Sequence, residues 1–380
     1  MASILMLHGS SDLYGASKIF LQSAAALQAA GHRVTVVLSE EGPLVQALRQ
    51  KSLDVHIHRL GILRRKYFNL PGLLNRVLAL RKARTFLEKL GREKRVTHLY
   101  SNTSAVLVGA MVANRISAKH IWHLHEILVQ PAWFANLLGK IVGRSADTVL
   151  AVSQAVKDHW QPFMDPSKIH LLYNGIDYEV YLEKHADALR DLKIPEDHLR
   201  IGMIGRINTW KGQGYFLEIA TELLKHNPRL HFIIAGDAFP GMENLVGEML
   251  QKIRDLGLEK NVSYLGFRND IAALMQSLDL FVLPSILPDP FPTVILEAMA
   301  SGKPVSATAH GGACEMLLHG ETGLLIPWDD AEKAAELIQS VLQNPERLPF
   351  MGEKGRERVL EKFSTEAFER RFVKFFEDER

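Results

Sequence analysis

The chain of 380 residues carries a formal net charge of +2, and 47% of its residues are hydrophobic and 23% charged. This length is too great for a single core and fits two domains of roughly 150 to 200 residues, while the composition excludes a disordered or fibrous protein. The one cysteine, Cys314, excludes an intramolecular disulfide and a cysteine-based metal framework, so we expect a reducing compartment, the cytoplasm.

The N-terminal segment MASILMLHGS predicts a short buried strand, because it lacks the charged start and the long apolar stretch of a signal peptide. No run is long enough to span a bilayer. The runs ILMLHG and VTVVLS flank a helical segment at 16–30, which is the pattern of strand, crossover helix and parallel strand. The loop His8 to Lys18 precedes that helix, with Gly15 near its opening, and could face an acceptor or a phosphate. Its spacing is not GxGxxG, which argues against a Rossmann dehydrogenase.

The region from Arg59 to Arg95 is strongly basic, with twelve Lys or Arg against two acids. The basic residues are Arg59, Arg64, Arg65, Lys66, Arg76, Arg81, Lys82, Arg84, Lys89, Arg92, Lys94 and Arg95. They are interleaved with Leu73, Leu74, Val77, Leu78 and Leu80, a pattern compatible with a helix resting on anionic lipid. A domain helix with an apolar core face and a solvated basic face is the alternative. We expect weak peripheral contact with the inner face of the plasma membrane. Nucleic-acid binding is disfavoured, since the basic residues are confined to one stretch with few aromatics.

The segment IWHLHEI places His123, His125 and Glu126 at a strand end. A metal site is a weak hypothesis, because two histidines at alternate positions share one strand face and the sequence places no third ligand. For His125 we favour a polar contact to the substrate, whereas His123 fits a core histidine equally well.

The alternation of strands and helices restarts near residue 200, where IGMIGRI opens a strand and a glycine-rich turn, followed by a helix at 215–226 and the strand HFIIAG. We therefore place one Rossmann-like domain in residues 1–190 and a second in residues 195–363. Phenylalanines recur at helical spacing around the tail 364–380, which predicts a helix that packs back on the first domain.

The segment GRINTWKG follows the first strand of the second domain. It places Arg206 and Lys211 at the carboxyl edge of a parallel sheet, where open α/β sheets bind ligands. A guanidinium can donate hydrogen bonds to two oxygens at once, and an ammonium supplies a compact positive charge. The pair therefore suits a diphosphate. A solvated basic turn is the equal alternative for this segment alone.

The segment DPFPTVILEAMASGKPV predicts a helix from Thr293 to about Ala300, capped by Thr293 and ended by the following glycine and proline. Free amides near Thr293 and Val294 would form an anion site.

Two carboxylates accompany this helix: Asp289 lies before it and Glu297 about one turn inside it, on a face that could reach a ribose. Ionised carboxylates accept the hydrogen bonds that sugar hydroxyls donate. Taken singly, Glu297 would be a surface acid and Asp289 a turn residue. Their occurrence together with the basic turn favours a pocket for a sugar joined to a diphosphate.

Two further segments carry weaker indications. In GGACEMLLHGETGLLIP, Gly311 and Gly312 could bring backbone close to a ligand, or only connect a strand to a helix. Arg268, in LGFRND, follows a probable strand and could lie near a nucleotide base, or form a surface salt bridge.

These motifs resemble those of the retaining GT-B glycosyltransferases, specifically the "glycosyl transferases group 1" family of bacterial cell-surface glycan and glycolipid synthesis. The resemblance covers nearly the whole chain, from AGHRVTVV through HLHEI, AVSQAVKD and LLYNGIDYEVY to GRINTWKG, LDLFVLPS and the two segments that begin at Asp289 and Gly311. It implies an α/β GT-B fold, in which two Rossmann-like domains with parallel sheets face a central cleft.

The resemblance also implies roles for the individual residues. Arg206 and Lys211 would hold the donor diphosphate, Glu297 would bind the ribose, and Asp289, in place of the family's usual Glu, would contact the donor sugar. The run Phe291, Pro292, Thr293 and Val294 would offer amides to the distal phosphate or sugar. His125 would lie beside the reacting sugar, and Gly15 would lie in the N-terminal glycine loop, where Tyr14 replaces a second glycine.

The implied activity is retaining transfer of a hexose from a UDP- or GDP-linked donor to a glycan or lipid-linked acceptor. Protein cations and helix amides would stabilise the leaving group, with no metal ion and no cofactor. We expect Lys211→Ala to reduce turnover and to leave the fold intact, because Lys211 is predicted to lie on a surface-edge turn.

Three rival functions remain open. An epimerase or hydrolase would turn over the nucleotide sugar without an acceptor. A phosphorylase would need pyridoxal phosphate. A noncatalytic binding protein would bind the donor and transfer nothing.

Overall fold

The computed structural model describes residues 1–13, 15–62, 69–129 and 131–377, with the side chains of residues 70 and 73 also left undescribed. The expectations for Tyr14, Arg64, Arg65, Lys66 and the side chain of Leu73 lie outside this part of the chain. Within it, no helix combines the length and apolar character needed to cross a membrane.

The chain divides into two compact units. The first comprises Met1–Gly175 and Thr365–Arg380, and the second Ile176–Ser364. The chain therefore passes to the second unit at residue 176, whereas the sequence placed residues up to 190 in the first domain.

The first unit contains a seven-stranded parallel sheet with the strand order β3-β2-β1-β4-β5-β6-β7. The strands are β1 (Ser3–His8), β2 (Arg33–Leu38), β3 (Asp54–Ile57), β4 (His98–Asn102), β5 (Lys119–Leu124), β6 (Thr148–Ala151) and β7 (Ile169–Leu171). The helices up to residue 160 are α1 (Ala16–Ala29), α2 (Pro43–Gln50), α3 (Leu70–Glu93), α4 (Val108–Val112), α5 (Ala132–Ser145) and α6 (Gln154–Trp160). Because both faces of the sheet are covered, β1 and β4 are buried along their whole length.

The second unit contains a six-stranded sheet with the strand order β10-β9-β8-β11-β12-β13, again all parallel. The strands are β8 (Leu199–Ile204), β9 (Leu230–Ala235), β10 (Val262–Tyr264), β11 (Leu280–Leu283), β12 (Val305–Thr308) and β13 (Gly323–Ile326). The helices are α7 (Glu179–Leu182), α8 (Gln213–His226), α9 (Asn244–Asp255), α10 (Ile271–Gln276), α11 (Thr293–Ala300), α12 (Ala313–Met316), α13 (Ala331–Leu342) and α14 (Arg347–Lys362). Short 3₁₀ turns occupy Ala113–Ile116, Gln161–Phe163, Pro166–Lys168, Arg190–Leu192 and Lys374–Phe376.

Residues 176–190 join the second unit because their backbone is hydrogen-bonded to the end of α10. The Gln276 amide donates to the carbonyls of Tyr181 (3.0 Å) and Glu183 (2.6 Å), and its oxygen accepts from the His185 amide (3.1 Å). The Ala188 amide donates to Ser277 Oγ (2.9 Å). These contacts join residues about ninety positions apart, which explains why sequence reading placed the boundary later.

The chain returns to the first unit through α15 (Thr365–Val373). Phe368, Phe372 and Phe376 recur at four-residue spacing and are buried among residues of α1, β1 and β4. Phe363, which precedes α15, instead packs in the second unit, with its ring centroid 6.0 Å from that of Phe291. The predicted tail helix thus lies in the first unit from Thr365 onward.

Candidate active site

The candidate donor site lies at the carboxyl edge of the second sheet, at the point where strand order reverses. Strand β8 has β9 on one side and β11 on the other, so the loops after β8 and β11 run in opposite directions and leave a crevice between them. Arg206 and Lys211 belong to the first loop, and Asp289 to the second.

The basic turn after β8 is held by its own asparagine. Asn208 Oδ1 accepts hydrogen bonds from the amides of Trp210 (3.0 Å) and Lys211 (2.7 Å), which is the local bonding that makes asparagine favour turns. The carbonyl of Trp210 accepts from the Ile286 amide (2.9 Å). The turn is therefore fixed to the chain that follows β11.

Lys211 and Asp289 form an ion pair in this crevice, with Nζ donating to Oδ2. Only 15% of the Lys211 side chain and 11% of the Asp289 side chain are exposed. The sequence had placed Lys211 on a surface-edge turn, and this was wrong, because the pairing draws the ammonium inward. Removing one partner would leave the other charge buried without compensation, at a cost of about 3–5 kcal/mol.

Arg206 lies over the ring of Phe239, with its guanidinium carbon 3.6 Å from the ring centroid. Phe239 belongs to the loop after β9, the strand next to β8, and 48% of it is exposed. A cation over an aromatic face is stabilised by about 0.5–1 kcal/mol at exposed sites. This contact orients the guanidinium plane at the edge of the sheet.

Helix α11 begins at Thr293, with Pro292 as its N-cap and no side-chain cap. The expectation that Thr293 caps the helix was wrong, because Pro292 already has the extended backbone of a cap residue and Thr293 is the first helical position. Ile295 donates to the Pro292 carbonyl (3.0 Å), whereas the amides of Thr293 and Val294 have no protein acceptor among the described residues. Such amides suit an anion.

The glycine pair of the GGACE segment packs against the Asp289 loop. The Gly312 amide donates to the Asp289 carbonyl (2.8 Å). A Cβ on Gly311 (φ 60°) would lie 2.3 Å from that carbonyl oxygen, and one on Gly312 would lie 2.5 Å from the Pro290 oxygen. The pair therefore allows two loops to touch through backbone, which holds Asp289 in place.

Glu297 lies one turn inside α11, near Tyr181 of α7. Burial, and then the charge of Glu297, raises the pKa of Tyr181. The predicted ribose ligand thus already has an aromatic neighbour that constrains its carboxylate.

Arg268 forms a bidentate ion pair with Asp270, donating from Nε to Oδ1 (2.7 Å) and from Nη2 to Oδ2. The hydrogen bond from Arg268 lowers the pKa of Asp270. Of the two interpretations left open for Arg268, the salt bridge is the one observed. A role near a nucleotide base stays a prediction.

In the first unit, a chain of hydrogen bonds runs from His125 across the carboxyl ends of β4 and β1. His125 Nε2 lies 2.8 Å from Asn102 Oδ1, and Asn102 Nδ2 lies 3.0 Å from His8 Nδ1. His8 Nε2 lies 3.0 Å from Ser17 Oγ, which donates to Asp12 Oδ1 (2.8 Å). Because an amide nitrogen only donates and an amide oxygen only accepts, His8 carries its proton on Nε2 and so does His125.

Burial keeps these histidines neutral. It lowers the pKa of His8 to about 4, against the opposing charge of Asp12, and the pKa of His123 to about 3. The pKa of His125 is lowered well below its usual value, by burial and then by His123 and His8. With its proton directed to Asn102, His125 keeps the lone pair of Nδ1 as an acceptor for a hydroxyl.

The other polar groups in and directly after β5 serve the local structure. His123 Nδ1 lies 2.7 Å from the Tyr100 hydroxyl, and both side chains are fully buried. The Glu126 carboxylate accepts from the amides of Ser104 (3.1 Å) and His125 (3.2 Å), while burial raises its pKa. Across the part of the chain that the structure describes, no three His, Cys, Asp or Glu side chains are grouped to hold a metal ion.

Gly15 is the residue immediately before α1 and has a φ of 42°. Its carbonyl accepts from the amides of Lys18 (3.1 Å) and Ile19 (3.4 Å), as the first turn of the helix requires. Its predicted role in a glycine loop stays a prediction.

Sequence reasoning missed four residues at these sites: Phe239, Tyr181, Asn102 and His8. Asn102 and His8 are the last residues of parallel strands, so their position at a sheet edge was readable from the pattern, whereas Phe239 lies four residues beyond the end of β9. Which strands lie side by side was not readable, and adjacency is what brings these residues to Arg206 and His125.

Two family models match the chain: "Glycosyltransferase Family 4" over residues 14–180 and "Glycosyl transferases group 1" over residues 185–358. The N-acetyl-alpha-D-glucosaminyl L-malate synthase of Bacillus anthracis is 30% identical over 271 residues, which cover 69% of this chain and 68% of that protein. The chain belongs to the glycosyl transferases group 1 family. This confirms the resemblance on which the site residues were assigned.

Other relatives of this glycosyltransferase agree. The alpha-maltose-1-phosphate synthase of Mycolicibacterium smegmatis is 27% identical, over 84% of this chain and 89% of that protein. The crystal structure of Anabaena HepE in complex with UDP and glucose matches with a TM-score of 0.84 and 26% identity, covering both chains completely. The sucrose-phosphate synthase of Thermosynechococcus elongatus, at 21% identity and a TM-score of 0.78, shows the fold alone, over 99% of this chain and 98% of that chain. The predicted α/β class with two Rossmann-like GT-B domains is confirmed.

Proposed function

We propose that this glycosyltransferase moves a hexose from a nucleotide diphosphate sugar, with retention of configuration and without a metal ion, to a glycan or lipid-linked acceptor. The observation that carries the proposal is the grouping of charge at the carboxyl edge of the second sheet. Two cations, Arg206 and Lys211, and two carboxylates, Asp289 and Glu297, belong to the loops and the helix around one crevice. The first two amides of α11, which have no acceptor in the described part of the protein, lie with them.

These groups suit the two ends of the donor. Breaking the bond between sugar and diphosphate leaves negative charge on the departing oxygen, and fixed cations and amides stabilise that charge before it forms. Arg206, Lys211 and the amides of Thr293 and Val294 are assigned to this task. Glu297 is assigned to the ribose and Asp289 to the sugar hydroxyls, with Phe291 and Pro292 shaping the loop between.

His125 is assigned a hydrogen bond from a sugar hydroxyl to its Nδ1. The observation in support is the bond from His125 Nε2 to Asn102, which leaves Nδ1 as the acceptor atom. A neutral imidazole in this state neither donates a proton to the leaving group nor repels positive charge that develops on the sugar.

Among donors, UDP-linked glucose is the first to test. The support is the similarity to Anabaena HepE, whose structures were solved with UDP and with UDP-glucose. GDP-linked hexoses are the second group of donors to test, because Arg268 and the loop after β10 do not distinguish one base from the other.

A lipid-linked acceptor is supported by α3. Its core side is formed by Ala83, Leu87 and Leu90, yet Leu74, Val77 and Leu78 are exposed near its start. Exposed apolar residues among Arg and Lys are typical of helices that rest on anionic lipid. We therefore propose peripheral membrane contact and a role in cell-surface polysaccharide synthesis. Liposomes of anionic lipid at low salt test the contact, and equal binding to neutral liposomes would contradict it.

The donor proposal is tested by calorimetry with UDP-glucose, GDP-mannose and ADP-glucose, followed by transfer to a lipid-phosphate acceptor with the anomeric proton coupling of the product read by NMR. We expect one donor to bind, an axial linkage as in the donor, and unchanged rates in EDTA. An inverted linkage would overturn the proposed retention of configuration. Activity lost in EDTA and restored by Mn²⁺ would overturn the proposed independence from metal ions. Donor turnover without an acceptor would indicate the hydrolase or epimerase alternative, and binding without turnover a noncatalytic protein.

A further inference from the structure

A second basic cavity lies at the carboxyl edge of the first sheet. A space of 270 Å³ is bounded by Gly9 after β1, Ser39 and Glu40 after β2, and Arg59 after β3, with Arg76 of α3 beside them. A neighbouring space of 610 Å³ shares Ser39, Glu40, Arg59 and Arg76 and extends along α3 to Leu78 and Lys82. We call the two together the Arg59 cavity. Their combined size falls in the range of about 300–1,000 Å³ that small-molecule sites occupy.

The chain around this cavity is held by close packing. Gly61, with a φ of 71°, lets the segment after β3 approach α3, because a Cβ there would lie 2.8 Å from Leu80 Cγ. Leu60 and Ile62 on either side are buried in the core beside α3. The His58 ring stacks on Phe86 of α3, with centroids 4.4 Å apart. The approach of Arg59 to α3 is therefore set by packing as well as by the loop.

The charge of the Arg59 cavity is positive. Of the described residues that line it, Arg59, Arg76 and Lys82 are basic and Glu40 alone carries a carboxylate. Arginine presents its donors in a planar fork that matches two oxygens of a phosphate, and two arginines at one small space favour an oxyanion over an uncharged sugar. The main-chain and hydroxyl groups of Gly9 and Ser39 complete a polar wall.

Apolar surface continues directly from the basic end. Leu78 lines the larger space and is 58% exposed, and two further exposed residues of α3 are near it, Leu74 one turn earlier and Val77 immediately before. A ligand with its anion at Arg59 and Arg76 would find apolar contact along the same helix. That combination of surfaces matches an amphiphile and not a free sugar.

We propose that the Arg59 cavity binds the phosphate of an alkyl or polyprenyl phosphate, seated on Arg59 and Arg76, with the chain along Leu74, Val77 and Leu78. In the context of the proposed function, on which its role rests, this ligand is the anchor of the acceptor. The binding itself is a property of the first unit and needs no donor.

Calorimetry with octyl phosphate, glycerol phosphate and octyl glucoside as probes separates the contributions. The wild-type protein is expected to bind octyl phosphate, to bind glycerol phosphate more weakly, and not to bind octyl glucoside. Arg59→Gln and Arg76→Gln should each lower the affinity for octyl phosphate about ten-fold or more, because each removes charge-assisted hydrogen bonds. Arg92→Gln, on an exposed site of the same helix, is the matched control and should change nothing.

The outcomes are distinct. If glycerol phosphate binds as tightly as octyl phosphate, with the same dependence on Arg59 and Arg76, the cavity binds a phosphate but does not recognise an alkyl chain. That result would overturn the proposal of a lipid ligand. Octyl phosphate affinity unaffected by both arginine variants would overturn the proposal. Binding of UDP, measured on the same samples, reports separately on the donor site, so its loss would count against the proposed function and not against the Arg59 cavity.

Discussion

At the scale of single residues, the proposed donor site contains a buried ion pair between Lys211 and Asp289. Each was assigned to a different part of the donor, the diphosphate and the sugar, yet they are bonded to each other. The ammonium is therefore held at the crevice by a protein carboxylate, and in the proposed donor complex the diphosphate would compete with Asp289 for it. Replacing Lys211 is thus expected to weaken UDP binding, whereas replacing Asp289 is not.

We expect Lys211→Met and Asp289→Asn each to destabilise the second unit, and the double variant to lose less than the sum, with a coupling of about 1–3 kcal/mol. UDP affinity should fall only when Lys211 is replaced, and should be retained in Asp289→Asn, where the ammonium has no competitor. Urea unfolding and calorimetry measure the two effects. Lys225→Met, which breaks an exposed pair with Glu222, is the control and should cost less than about 1 kcal/mol. Equal losses of UDP affinity in both single variants would contradict this account.

The amide of Asn102 determines which nitrogen of His125 carries the proton, because its oxygen accepts the hydrogen bond from Nε2. In Asn102→Asp, an anion replaces the neutral amide beside His8 and His125, and a nearby carboxylate favours the imidazolium. The pKa of His125 should rise, so that the variant loses the Nδ1 acceptor at low pH and regains turnover as the pH is increased. NMR titration of the imidazole and the pH profile of UDP release measure this. A titrating His125 with a pH profile identical to that of the wild type would contradict a role for its lone pair.

At the scale of elements, strands and helices were readable because apolar residues follow simple periods. β1, β2, β8 and β9 coincide with the predicted runs, and α11 spans the predicted 293–300. The site was readable only in part, because strand order decides which loops meet. Lys211 and Asp289 are separated by 78 positions and come together only because β8 and β11 are neighbours. The sequence alone does not reveal which strands are neighbours in the sheet, and so it does not reveal this ion pair.

The N-terminus of α11 provides a prediction for one amide. Thr293→Pro removes a donor but suits the first helical position, since Pro292 before it is already extended (φ −72°, ψ 95°). We expect UDP affinity to fall about ten-fold with thermal stability unchanged, because one bond to an anion is lost. Thr293→Val, which keeps the amide and loses the hydroxyl, is the matched control. Loss of affinity in the valine variant would assign the effect to the hydroxyl instead.

At the scale of the whole molecule, the chain builds two sheets that each carry polar groups at the carboxyl edge, and the two edges differ in charge chemistry. The first holds neutral buried histidines and the Arg59 cavity, and the second holds the Lys211–Asp289 ion pair and the Thr293 and Val294 amides, for which the described residues offer no acceptor. The sequence located both sheets. It placed the boundary near 190 because the alternation of strands and helices restarts near residue 200, whereas the hydrogen bonds of residues 176–190 to α10 make them part of the second unit.

The neutral histidines predict how the stability of the first unit depends on pH. His8, His120 and His123 are almost fully buried, and burial lowers their pKa values to about 4, 4 and 3. Unfolded histidines titrate near a pKa of about 6.5, so the unfolded state binds protons that the folded state does not as the pH falls below that value. The stability is therefore fully present above pH 6.5 and decreases towards pH 4.

Below pH 6.5, the free energy of unfolding is expected to fall by about 1.4 kcal/mol per pH unit for each of these histidines. Hydrogen exchange of amides in β1, β4 and β5 at pH 7, 6 and 5, corrected for intrinsic rates, measures it. His123→Phe should reduce the slope by one proton. An opening free energy that stays constant from pH 6.5 to pH 5 would show that these histidines do not remain neutral.

In the proposed reaction, protein cations and the first turn of α11 hold the departing nucleotide, and a crystal structure of the protein soaked with UDP is the sharpest test of that role. We expect the distal phosphate to contact Arg206, Lys211 and the Thr293 amide, with the ribose on Glu297. Phosphates bound away from all three of these groups, or held by a metal ion with Lys211 still paired only to Asp289, would contradict it.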